Sequence, residues 1–531
     1  MRLRTIGNIG SGAVLTLALA LPAGAQVFEV DDRLIPGQGI LQSEARSGAA
    51  LAVGDLDGDG RPDLAIASPA RDAVNPGSAN AGTVFVARFQ PGRLPVELAS
   101  FDGPNPNAAT GTALALGDFD GDGDLELAVG EPGNNVGGGI RGGSVAIWNG
   151  FSDNAPSRRF TQFSEGVGGD GETGDAFGFA LAVGDFDGDG FDDLAVGVPR
   201  EDVGTVSDAG GVHVLFGGAD GLSGVGSQFL LLGEGGLPGG PGVSDLFGFA
   251  LAAGDFDGDG RDDLAIGAPG TDLNVPTTMF NAGKVLVLHG SAAGITADGF
   301  LNLDESDLEF GVTEEDDHFG WALAAGDFDR TAACVAAGSC ADELVIGVPG
   351  ENLGGATDFA GKVMVVAGVD GDGLEPGDVA SFTAESLGMP IQGSAHFGEA
   401  LAVGRLDGDL ADDLAIGEPV RNFAASDEGM VYLMTGGANG LAANRRQQIV
   451  ARTGLGSAPP RAGDNLGAAL AIADFDGDGH GDLAVGVPGR AIVDDGEELD
   501  EAGAVQVLFG AVFADGFERG TPNAWSPFDQ I

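Results

Sequence analysis

Five stretches of the chain space carboxylates two residues apart, a pattern suited to holding a hard cation. Carboxylates stand at positions 1, 3, 5 and 9 of each. They are Asp55, Asp57, Asp59 and Asp63; Asp118, Asp120, Asp122 and Glu126; Asp185, Asp187, Asp189 and Asp193; Asp255, Asp257, Asp259 and Asp263; and Asp474, Asp476, Asp478 and Asp482. Position 7, occupied by Arg61, Asp124, Phe191, Arg261 or His480, is expected to offer its backbone carbonyl. Glycines at positions 4 and 6 let the chain wrap sharply. Six to eight oxygens in a flexible shell suit Ca²⁺, whereas magnesium demands tighter octahedral geometry and keeps more water. About five calcium sites are expected, and up to seven. An EF-hand would need a bidentate glutamate at position 12 and flanking helices, but position 12 is Ile66, Val196 or Ile266 in three copies. A metal-free Asp-rich turn would leave crowded carboxylates repelling one another.

Two related loops depart from the pattern. One begins at Arg405, whose cation can neutralise Asp407, Asp409 and Asp413 and leave the loop empty. The other keeps Asp327 and Asp329, then takes an insertion before its ninth-position equivalent, Glu343. That insertion speaks against an ion there. It also carries both cysteines, Cys334 and Cys340, for which a small-loop disulfide is expected, with a metal pair or two free thiols as alternatives.

Seven loops at spacings of 63, 67, 70, 72, 78 and 69 residues require seven copies of one structural unit. Each copy has four short apolar or alternating runs bounded by Gly, Pro and Asp, which are strand signals. In the third copy these are Ala180–Val183, Leu194–Val196, Val212–Phe216 and Gln228–Leu231. Four strands per unit, seven times over, predict an all-β seven-bladed propeller. The small residues of each first strand suit a crowded position near the axis. The seventh copy lacks a fourth strand, while Gln26–Leu34 precedes the first copy without a partner. That segment is expected to complete the last blade and close the ring, protecting strand edges.

The Phe-Gly starts at Phe177, Phe247, Phe319 and Phe397, the Asp loops, and the Gly-x-Pro ends such as Gly197–Pro199 and Gly267–Pro269 resemble FG-GAP repeats. These form the blades of integrin α-subunit head domains and of many bacterial secreted proteins. The resemblance spans residues 26 to 510 and is degenerate at Gly48 and Gly111, with Leu466-Gly467 in the last copy. It implies an integrin-like propeller, calcium in the loops and, often, adhesion or ligand recognition.

A net charge of −57 disfavours binding to nucleic acid or an anionic membrane. Residues 1–25 read as a signal peptide, with Arg2 and Arg4, an apolar run and Ala23-Gly24-Ala25, so a secreted or cell-surface protein is expected. Residues 511–531 read as a tail with a possible sorting motif. No HExxH, GxSxG or CxxC motif occurs, and an enzyme is not expected. His318 and His396 precede Phe-Gly in adjacent copies and read as products of the repeat rather than as catalytic residues, although on the divergent face they could meet near the axis. A monomeric binding or adhesion module is expected, taking a protein or glycan on the face opposite the Asp loops. The alternatives are a structural matrix protein or, behind both, a hydrolase or lyase.

Overall fold

The computed structural model describes residues 27–30 and 44–509, apart from 73–78, 90–94, 139, 152–154, 170, 275–277, 309–312, 331–339, 355–357, 424–425, 442–445, 451–460 and 495–496. The signal peptide, the C-terminal tail and Cys334 lie outside the described residues, and with Cys334 the proposed disulfide.

Seven four-stranded antiparallel sheets form in chain order. In blade 3 the strands run Leu181–Gly184, Asp193–Val198, Gly211–Phe216 and Ser223–Leu230, from inside to outside. The innermost strands pack against one another in a complete circle, the first blade meeting both the second and the seventh. The second strand of every blade is buried along its whole length. Its near-continuous apolar run, such as Leu194-Ala195-Val196, reflects sheets covered on both faces. The core is accordingly seven separate apolar clusters, one between each pair of neighbouring blades.

The ring closes as the sequence predicts. Val27–Val30 pairs antiparallel with Ala504–Leu508 and becomes the outer strand of blade 7. Among the described residues, the Glu305–Asp307 turn is the one helical element.

The Phe-Gly and Gly-x-Pro signatures are devices for joining blades. The Phe-Gly phenylalanines at 177, 247, 319 and 397 are at most 1% exposed. Each such burial contributes about 1.5–3 kcal/mol. Parallel bridges join each blade to the next at this point, as in Gly283 with Phe319, and Ser47 with Gly503 makes the seventh. The approach is possible only for glycine: a Cβ on Gly283 (φ +89°) would lie 2.3 Å from the Phe319 carbonyl oxygen. In the first blade Ser47 replaces phenylalanine and shares a 2.7 Å hydrogen bond with Ser68.

Candidate metal loops and the opposite face

Each Asp loop joins the first and second strands of its blade, so all seven lie on one face. The position-9 carboxylate stands at the start of the fully buried second strand. In every blade it accepts a hydrogen bond, at 2.5–3.1 Å, from the backbone N–H of position 2. Glu343 makes this bond from beyond the insertion, so it takes the ninth-position role assigned to it. The position-1 aspartate curls the loop by accepting from later backbone N–H groups, as Asp255 does from Asp259 and Gly260 at 2.9 Å.

These bonds bring the carboxylates together. Ligand atoms of Asp55, Asp57 and Asp63 lie within 4.8 Å of one another, as do those of Asp118, Asp120 and Asp122, and of Asp185, Asp187 and Asp193. Burial, with the negative neighbours adding to it, pushes Asp63, Glu126, Asp193 and Asp413 up to about 7 and Glu343 to about 8. Asp63 Oδ1, Asp118 Oδ1, Glu126 Oε1 and both Asp327 carboxylate oxygens are buried without a hydrogen-bond partner. Orphaned carboxylate oxygens converging on a loop are what a hard divalent cation would satisfy.

The loops also grip each other. The position-8 aspartates of four blades accept from the position-1 backbone N–H of the preceding blade: Asp192 from Asp118, Asp262 from Asp185, Asp342 from Asp255, and Asp412 from Asp327, at 2.8–3.2 Å. Their own N–H groups bond back to the same residues' carbonyls at 2.8–3.2 Å. The position-8 residues of blades 1, 2 and 7 are Pro62, Leu125 and Gly481, and none can form this clamp. Position-7 side chains contribute too. Arg61 donates to the Asp476 carbonyl at 3.3 Å, while Phe191, Arg261 and His480 lie over Gly121, Gly188 and Gly408 of the preceding loops.

Two features differ from the sequence reading. Arg405 does not reach Asp407, Asp409 or Asp413. Its Nε lies 3.5 Å from Asp412 Oδ1, because position 8 points towards the preceding blade rather than into its own loop. The residue opposite position 9 on the third strand, invisible to motif analysis, reaches the loop in several blades. Arg88 Nη1 lies 2.6 Å from Asp57, Asn149 donates to Asp120 at 3.2 Å, and His289 Nδ1 lies 3.4 Å from Asp263 and 3.6 Å from Asp257. The approach to Asp263 raises the His289 pKa. The strand register places these residues, as in Leu264 opposite Leu288. Only that pairing could have revealed them.

The opposite face is less uniform. Around the mouth of the axis, the residue after each Phe-Gly forms an arc. Phe179, Phe249 and Trp321 make successive ring contacts at 5.0 and 4.6 Å, and His318 sits edge-on to Trp321 at 5.5 Å. His396 contacts Glu399 at 2.9 Å. Burial lowers the His318 pKa. His213 lies in the core, stacked on Phe229 at 4.0 Å, and burial lowers it to about 3.

Beneath this face each blade carries a buried polar chamber built from equivalent positions. In blade 5 Lys362 contacts Glu305 and lies 3.0 Å from Glu351. In blade 7 Arg490 pairs with Asp464 at 2.8 Å. In blade 6 Arg421 pairs with Glu418 at 2.9 Å. Blade 3 has Glu201 beside Asp175, with Gln162 donating to Glu201 at 2.6 Å. Burial drives Glu201 up to about 8 and Asp175 to about 6. The folded protein thus keeps a proton on Glu201 that the unfolded chain releases near 4.5, so folding is favoured at low pH and loses stability as pH rises from 4.5 through 8. Glu201→Gln is expected to flatten that slope and raise the melting temperature at pH 8.5 by about 3 °C. Calorimetric scans of both proteins at pH 5.5 and 8.5 check this.

Comparison with known proteins agrees with this geometry. The FG-GAP repeat model matches residues 47–86, 110–148, 177–215, 247–288 and 466–508. The chain is therefore a seven-bladed propeller in which five blades match the FG-GAP repeat. Drosophila melanogaster integrin alpha-PS2 is 29% identical over 249 residues, 45% of this chain and 15% of that protein. Mouse phosphatidylinositol-glycan-specific phospholipase D is 32% identical over 205 residues, 37% of this chain and 22% of that protein. The solved rhamnogalacturonan lyase YesW aligns with 95% of this chain and 76% of its own at 13% identity, but its TM-score of 0.39 adds nothing to fold or function. The chain spans about a fifth or less of the length of these two curated relatives. Its propeller is integrin-α-like.

Proposed function

We propose that this protein is an extracellular binding or adhesion module, a calcium-stabilised ring that takes a protein or glycan on the face opposite the Asp loops. The carrying observation is the contrast between the two faces. The loop face repeats one bonding scheme, whereas the other changes its loops, aromatic arc and polar chambers from blade to blade. Variable loops on a rigid scaffold are a natural recognition surface. The kinship with integrin α chains supports adhesion, and a module that binds without catalysis fits the scattered histidines.

In this reading Ca²⁺ is held by positions 1, 3, 5 and 9 of the five complete loops, with the position-7 carbonyl. Arg88, paired with Asp57, would compete with an ion in the first. Asp327, Asp329 and Glu343 form a further candidate set, as do Asp407, Asp409 and Asp413. Calcium would fix each loop where it contacts the next blade, and so would stiffen the ring.

The test replaces the exposed loop tips at 135–141, 202–208 and 352–359 with short Gly-Ser connections and measures capture of extracellular proteins and glycans in calcium. Capture is expected to fall at least tenfold with the melting temperature of the ring retained. Full capture by the replaced protein would place recognition elsewhere. A hydrolase and lyase screen with and without chelator is expected to show no turnover.

A further inference from the structure

The polar chamber of blade 4 departs from the other blades, and the departure opens a cavity of about 500 Å³. In blade 5 Lys362 is held by Glu305 and Glu351, and Asp317 is buried two residues before Phe319. Strand register puts Leu232, Thr271, Asp245 and Lys284 at the equivalent positions of blade 4. Two carboxylates have become leucine and threonine. Lys284 consequently has no ion-pair partner within 4.0 Å among the described residues, and the space its counter-ions would occupy is open. Thr271 Oγ1 is buried beside Asp245 yet makes no hydrogen bond of normal length.

We propose that this cavity is a binding site for a neutral saccharide, a deepening that rests on the recognition role proposed above. Its volume falls within the range of small-molecule sites and suits one or two pyranose rings. The lining offers donors and acceptors together: Lys284 and Thr271 can donate, and Asp245 and Asp304 can accept. Three aspartates line it, the third being Asp272, against one lysine, which repels an anionic ligand. Lys284 in turn opposes a simple cation. A polyol meets both, because each hydroxyl donates and accepts. Leu232 and Leu286 give the carbohydrate C–H face an apolar wall. Asp245 is 5% exposed, and its Oδ2 is anchored by the Gly242 N–H at 2.6 Å, so this acceptor is held in place before a ligand arrives.

The experiment uses the whole protein in calcium on an array of neutral and acidic oligosaccharides, followed by calorimetric titration with the free neutral sugars that bind. A double variant, Leu232→Glu with Thr271→Glu, installs the blade-5 arrangement, which captures the lysine internally and fills the cavity. Wild type is expected to bind neutral sugars, and the double variant to lose at least tenfold in affinity with its melting temperature kept. Lys284→Met, a smaller change, is expected to weaken binding at least fivefold and serves if the double variant does not fold. Neutral-sugar binding undiminished in both variants overturns the pocket but leaves the recognition role standing. Binding confined to acidic sugars or to proteins overturns the saccharide class alone. A wild type that captures no glycan and no protein overturns both.

Discussion

Stripping divalent cations from the protein is expected to lower its melting temperature by roughly 7 °C, and adding Ca²⁺ back to restore it. At a tenfold excess over its dissociation constant each site contributes about 1.4 kcal/mol, so five complete loops together contribute about 7 kcal/mol. An unfolding entropy of about 2 cal/mol/K per residue converts this to degrees. The physical source is the set of buried carboxylates. Without a cation, burial first and then the negative neighbours hold position-9 acids such as Asp63 and Asp193 protonated to about pH 7. Scanning calorimetry after exhaustive chelation reads the effect, and an unchanged melt would remove calcium from the account. Asp193→Asn in an otherwise intact protein should remove roughly one site's share of the calcium response.

The second large effect comes from the seam. Deleting residues 26–30 removes the strand Val27–Val30 and leaves the edge of Ala504–Leu508 unpaired. The ladder is lost, and an exposed strand edge is a template for another chain. A loss of about 4 kcal/mol or more is expected, at the upper end of what local changes cause. The truncated protein should also self-associate, visible by size-exclusion chromatography with light scattering. A deletion variant that stays monomeric with an unaltered melt would mean the ring does not depend on its closing strand.

Much of this architecture was legible in the sequence because it repeats. Sevenfold recurrence turns a weak motif into a strong one, and the missing fourth strand of the last copy pointed to the strand that fills it. The Asp-loop assignments were legible for the same reason. What the sequence hid was register and the contacts between blades. Arg88 and His289 look like ordinary strand residues until pairing sets them opposite position 9. Asp192, Asp262, Asp342 and Asp412 read as a spare carboxylate in an acidic loop, and only the neighbouring blade explains them. Arg405 was misread for that reason: its partner, Asp412, is the residue whose role belongs to the interface. The blade-4 cavity was hidden too, because Leu232 and Thr271 become informative only when aligned in space with Glu305 and Glu351.

The reciprocal aspartate clamp occurs at the four consecutive interfaces from blade 2 to blade 6 and at none of the other three, where position 8 is Gly481, Pro62 or Leu125. The circle is therefore mechanically uneven, a stiff arc completed by a softer one. Force applied between the two ends of the chain would spread the softer arc first and leave the stiff one assembled. Under load such a graded ring gives way in stages rather than all at once.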